Sequence, residues 1–410
     1  MAIGGAPEAL VPPTEETAGP AHVATVSFLA SRAVPSGGFF VALAGGTALA
    51  RVAQRRGARE GYGASVAAML ETLAIMGPAR FSVPFTQAVS APLLGRLEAR
   101  GWAAAAQVLV CTAMRVLSNA AGVAFFVWVI AGGLDAYAGS YDALAGRLGF
   151  SLSEQGTLLI TALGLLLWGI FASVVQVSVY RRGLQRWPPA GALAAPATPA
   201  AEPHHGRFDP RAVALATAVA FALLLVSTEW ALLAAVAGWL ALAWVLARPD
   251  RGTVPTGLVL AALLAGGALA FTLGAGLGLE QALRRASRAA LLVLVATWLR
   301  AAAGADGVRE VSRRGLGHLG WLPCAPEAAR VLDAIGSEGR LTAAGRSLLD
   351  AIEGVSRRPV PLVDAVLGWV AGEASRYRTG PPAPVLWLRI RSQDLLLVVV
   401  AAAPGAVLLS

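Results

Sequence analysis

The chain has 410 residues, 56% of them apolar and only 14% charged, with a mean hydropathy of +0.64. Soluble domains carry charge on about a quarter of their residues, so this composition excludes an ordinary water-soluble enzyme or binding module and indicates a membrane protein. The net charge of +9 comes from arginine alone, there being no lysine, and these arginines fall in short loops between apolar blocks, which is a topology signal and not a nucleic-acid footprint.

Residues 1–32 read as a polar, acidic segment holding Glu8, Glu15, Glu16 and several prolines, with no basic stretch ahead of an apolar one, so no cleavable signal peptide is expected. Residues 33–190 read as an N-terminal membrane domain. A first span over 33–50 is followed by Arg51, Arg55, Arg56 and Arg59, which the positive-inside rule places in the cytoplasm, leaving the N-terminus outside. Residues 61–78 then return outward, 81–95 come back to Arg96 and Arg100 with Pro84 and Pro92 breaking the segment, and 102–134 cross with a tilt. An outer loop, Asp135–Glu154, leads to a span over 155–180 that ends at Arg181, Arg182 and Arg186. Small residues at Ala42, Gly46 and Ala50 suit close packing of the first span on another helix.

A Pro/Ala linker over 191–205 separates this part from a second membrane domain, 206–410. Spans are expected over 212–229, 230–246, 254–273, 288–303 and 395–409, with the amphipathic stretch Glu280–Arg288 at the outer surface. The fold class is therefore all-α and polytopic, with about ten membrane segments in two halves. Before the last span the chain leaves the membrane over 304–384, on the cytoplasmic side. Pro326 suits the first position of a helix. Beyond it Ala329, Val331, Leu332 and Ile335 alternate with Glu327, Arg330, Asp333 and Glu338, and then Leu341, Leu348, Leu349 and Ile352 with Arg340, Arg346, Asp350 and Glu353. Each set gives one apolar stripe and one charged face. Such helices either dock a cytosolic partner or lie on the membrane or on the rest of the chain.

Three stretches of the second half carry a resemblance: Arg207-Phe208-Asp209-Pro210-Arg211 before an apolar run, Gly276-Leu277-Gly278-Leu279-Glu280-Gln281-Ala282-Leu283-Arg284-Arg285 before an arginine-started helix, and Arg389-Ile390-Arg391-Ser392-Gln393-Asp394 launching the last span. In order and character this half resembles the transmembrane T component of energy-coupling factor (ECF) type ABC transporters, which take up vitamins and metal ions. The resemblance implies cytosolic ATPase subunits gripped by coupling helices, and a substrate-binding membrane subunit beside them. Family coupling helices carry short motifs of the Ala-Arg-Gly type; the nearest stretches here are Gly345-Arg346-Ser347 and Arg357-Arg358-Pro359, which makes Arg346, Arg357 and Arg358 the candidate docking residues.

Polar groups at membrane depth are costly and face protein or water. Glu71, Gln87, Arg115 and Asn119 are such groups in the first half, and they line either a substrate cavity or a structural set in which Glu71 pairs with Arg115. Gln107, Cys111 and Arg115 share one helix face. No metal site is expected: Cys111 and Cys324 lie far apart, and His204 and His205 sit in the linker without carboxylate or thiolate neighbours. No cofactor is expected either. There is no phosphate-binding Gly-Lys-Ser/Thr loop, so ATP hydrolysis would belong to another chain, and no His-Glu-x-x-His or Ser/His/Asp set that would make the chain an intramembrane hydrolase. The leading expectation is a membrane subunit of an ATPase-driven uptake transporter. A stand-alone carrier or channel is the alternative, and an integral-membrane enzyme using Glu71 or the outer loop is the third.

Overall fold

Helix α1 (Pro13–Ala30) is enclosed by protein on every side: each residue from Thr17 to Phe28 is buried, including His22, Thr25 and Ser27. The reading of 1–32 as a polar, acidic segment did not anticipate this buried helix. Small side chains permit this, since a helix of Ala, Gly, Ser and Thr lets neighbours approach its backbone closely. The computed structural model describes residues 13–34, 37–80, 85–188, 208–247, 253–336, 338–356, 358–379 and 390–408. The linker 191–205 and Arg357 lie outside these.

All elements among the described residues are helical. In chain order α1 is followed by α2 (Gly38–Arg56), α3 (Ala58–Met76), α4 (Phe85–Ala99), α5 (Ala104–Phe125) with a π-helical extension over Phe126–Ala131, α6 (Leu134–Gly146) and α7 (Glu154–Gln185). The second half holds α8 (Pro210–Val226), α9 (Trp230–Ala247), α10 (Thr253–Gly274), α11 (Leu279–His318), α12 (Ala325–Ala334), α13 (Glu338–Ile352), α14 (Pro359–Arg376) and α15 (Ser392–Ala402).

Five helices are long and apolar enough to cross a membrane: Ala104–Ala131, Glu154–Gln185, Trp230–Ala247, Val254–Gly274 and Leu279–His318. Most of them turn large apolar side chains outward, as Leu159, Leu163, Leu167 and Phe171 do along α7. Helices α8 and α15 are apolar but shorter. The predicted spans over 33–50, 61–78 and 81–95 correspond to α2, α3 and α4, which are not among the five and which lie inside a helical body with α1, α12, α13 and α14. One core joins Phe28 of α1, Leu43 and Leu49 of α2, Leu94 of α4, Leu332 of α12, Leu341 and Leu348 of α13 and Val366 of α14. The apolar stripes of the 304–384 region are therefore covered by the chain's own N-terminal helices. Arg59 of α3 pairs with Glu327 of α12 at 3.0 Å across this contact, and Arg182 and Arg186 at the end of α7 pair with Asp364 of α14 at 2.5 and 3.1 Å.

Glu15 accepts a hydrogen bond from the Thr379 hydroxyl at 3.1 Å, and the His22 and Tyr377 rings lie 4.8 Å apart. These contacts set the start of α1 directly against the end of the 304–384 region. The contact between α2 and α4 is tight enough that a Cβ on Gly95 would collide with the Ala50 carbonyl. Gly95→Ala is accordingly expected to cost ~1–3 kcal/mol by overpacking, seen as a lower thermal-unfolding midpoint in detergent.

Helix α11 holds the two parts together. Gly304 sits at φ 70° and ψ 170°, a conformation that favours glycine, and kinks the helix between an apolar segment before it and a charged one after it. Two of the stretches carrying the family resemblance meet nearby. The Asp209 side chain caps α8 at the Arg211 amide (2.8 Å), the Asp209 amide donates to Asp394 Oδ1 (3.0 Å), and Asp394 Oδ2 accepts from the Arg391 amide at the start of α15 (2.7 Å). A single buried carboxylate thus fixes the first turns of both helices.

Candidate functional site

Two polar clusters occupy the interior, and the four residues expected to share a cavity divide between them. Glu71, on the last turns of α3, is fully buried. Its partner is Arg309, just past the kink of α11, and not Arg115: Arg309 donates through Nε to Oε2 at 2.6 Å and through Nη2 to Oε1. This bidentate charge-assisted pair is the strongest type of side-chain contact available to a carboxylate. Arg309 also reaches Asp306 at 3.2 Å. Around it Arg300 donates to the Ile75 carbonyl at 2.9 Å and to Glu338 at 3.2 Å, and Arg313 bonds Glu310 at 2.8 Å and approaches Asp333 at 3.7 Å. The kinked part of α11 is thereby tied to α3, α12 and α13 by ionic contacts.

The second cluster links α4, α5 and α7. Arg115 donates to Gln176 Oε1 from Nη2 (2.6 Å) and Nε (3.2 Å), and Gln176 Nε2 donates to the Ser90 hydroxyl at 2.7 Å. Arg115 is buried in a span-length helix, and its side-chain partner is a neutral amide. Gln87 is buried one turn before Ser90 with its Oε1 unpartnered among the described residues, and Asn119 is half-buried one turn beyond Arg115. Thr112 and Ser173 also bury hydroxyls without a partner among the described residues. The structure thus groups Arg115 with the α4 residues and leaves Glu71 to the α11 clamp. Gln107 has a structural place, donating to Glu98 at 2.6 Å and to the Trp102 carbonyl at 3.0 Å across the α4–α5 turn, where Arg181 also reaches Glu98 at 3.3 Å.

Sequence reasoning missed Gln176, Ser90, Arg300 and Arg309. A glutamine within the long apolar run of α7 is a readable signal for the first. Nothing in spacing could join Arg309 to Glu71, 238 residues away. It also missed the π-helical turn Phe126–Ala131, whose carbonyls at Val129 and Ala131 accept from Arg288 and Arg285 of α11. A π-turn widens the helix and leaves such carbonyls open to a cation.

Of the candidate docking residues, Arg346 and Arg358 are exposed, Arg346 on the face of α13 opposite Leu341, Ala344 and Leu348. Neither takes part in an ion pair among the described residues. Trp369 donates to Ser347 at 3.2 Å and holds α13 against α14. Between α9 and α15 lies an apolar groove of about 230 Å³, lined by Trp239, Leu242, Leu396 and Val400 among others.

No protein-family model, no curated protein and no solved structure matches the chain.

Proposed function

We propose that this chain is the membrane-embedded coupling subunit of an ATPase-driven uptake system of the ECF type, carrying a small solute such as a vitamin or a metal ion across the cell membrane. The observation that carries this reading is α11, which runs without interruption of the chain from an apolar, span-length segment through the Gly304 kink into a charged segment clamped by Glu71. A displacement of α12 or α13 would reach the membrane segment through the Arg300–Glu338 and Arg313–Asp333 pairs. The multi-pass arrangement consistent with these contacts has seven crossings, by α5, α7, α8, α9, α10, α11 and α15, with α1 to α4 and α12 to α14 forming one cytoplasmic body. Arg181, Arg182 and Arg186 at the end of α7 support that sidedness.

In this reading the ATPase docks on the charged faces of α13 and α14, since the apolar faces are already covered. Reversing the charge of an arginine at such a contact costs about 2–5 kcal/mol, roughly thirtyfold or more in affinity. Arg346→Glu and Arg358→Glu are expected to insert and fold normally, because both side chains are exposed, yet to lose the co-purifying ATPase and uptake together. Recovery of wild-type protein from its native membrane with no nucleotide-hydrolysing partner would overturn the reading.

A second reading, a stand-alone carrier, rests on Arg115. A buried guanidinium whose side-chain partner among the described residues is a neutral amide is a candidate substrate contact within a span. Uptake by the purified chain alone in vesicles, abolished by Arg115→Gln, would favour it.

A further inference from the structure

On the side of the molecule away from the cytoplasmic body, the loop between α8 and α9 and the first turns of α11 flank an open polar pocket of about 380 Å³, lined by Thr228, Glu280, Gln281, Arg284 and Arg285. This volume lies within the range of small-molecule sites. Two guanidiniums face one carboxylate there. Glu280 is already engaged by Arg284 Nη2 at 2.6 Å, and Arg285 spends one N–H on the Ala131 carbonyl. What remains is a surplus of donors: Arg284 Nε is buried without a partner among the described residues, and α11 begins at Gly278 with no side chain capping its first amides. Uncapped helix amides and guanidinium forks both favour an oxyanion.

We infer that this pocket binds the carboxylate or phosphate group of a small solute arriving from outside the cell. The outward placement rests on the sidedness proposed above; the binding chemistry does not. A soluble source is favoured over a lipid headgroup because three of the five lining residues, Thr228, Gln281 and Glu280, offer polar contacts to the rest of a hydrophilic molecule. Trp230 supplies a reporter, since the Arg284 guanidinium lies 5.9 Å from its ring centre and would shift on engaging an anion.

The test uses the chain alone, in nanodiscs of phosphatidylcholine, titrated with succinate and with inorganic phosphate against chloride at matched ionic strength. Tryptophan emission is expected to change saturably with at least one oxyanion and not with chloride, and to lose the change in Trp230→Phe. Arg284→Gln is expected to weaken binding at least tenfold. Glu280→Gln, which frees Arg284 from its internal carboxylate, is expected to tighten it about threefold, an opposite effect that misfolding would not produce. No saturable response, or a response undiminished in Arg284→Gln, overturns the inference. So does a change that follows phosphatidylglycerol content while both solutes leave it unmoved, since that assigns the site to lipid. Because no ATPase takes part, these results are independent of whether the coupling reading stands.

Discussion

Arg309→Ala is expected to destabilise the protein by about 3–5 kcal/mol, because it leaves the fully buried Glu71 carboxylate without its guanidinium. The loss would appear as a lower unfolding midpoint and reduced yield of folded protein in detergent. Stability alone, however, does not separate a structural pair from a coupling one. Replacing both partners together, Glu71→Leu with Arg309→Met, removes the buried charges along with their attraction, and such replacements are often neutral or stabilising. The double variant is therefore expected to fold at least as well as either single variant. If the clamp transmits movement between the cytoplasmic helices and the membrane part of α11, the double variant still loses uptake, while its recovery of ATPase stays at the wild-type level. A double variant that folds and transports like the wild type would reduce the pair to a packing element.

The apolar stripes of the 304–384 region were legible in the sequence, because a 3.6-residue period is a local pattern. What covers the stripes was not legible. An apolar helix reads the same whether its surroundings are lipid or protein, so the sequence did not reveal that neighbouring helices bury Val41 to Ala50 completely. Helix α1 was harder still. Its interior carries His22, Thr25 and Ser27, whose polarity hid a helix buried all round, and Thr25 satisfies its own hydroxyl on the Ala21 carbonyl at 2.9 Å. The Arg115–Gln176–Ser90 relay joins residues 61 and 86 positions apart, and the residue types announced polarity at depth without naming the partner. Long-range pairing among many arginines is a matter of geometry that periodicity does not encode.

The polarity hidden in α1 has a consequence in the pH dependence of stability. His22 is almost completely buried, its Nδ1 has no partner among the described residues, and its ring lies against Tyr377, over which the Arg340 guanidinium stacks at 4.3 Å from the ring centre. Burial above all, with the positive charge of Arg340 second, pushes the imidazole down to about 3 from an ordinary value of 6.5. The native state thus keeps His22 neutral while the unfolded chain takes up a proton below about pH 6.5. Its contribution to stability is complete above that pH and is lost progressively as pH falls toward 3, at ~1.4 kcal/mol per pH unit, or about 2 kcal/mol by pH 5. His22→Phe keeps an aromatic ring against Tyr377 and removes the titrating group. The unfolding midpoint of the wild type is expected to fall faster than that of His22→Phe between pH 7.5 and pH 5, the two curves drawing apart by an amount matching that ~2 kcal/mol. Parallel curves would mean that the imidazole is accessible to protons in the native state, and hence that α1 is not enclosed by the helices around it.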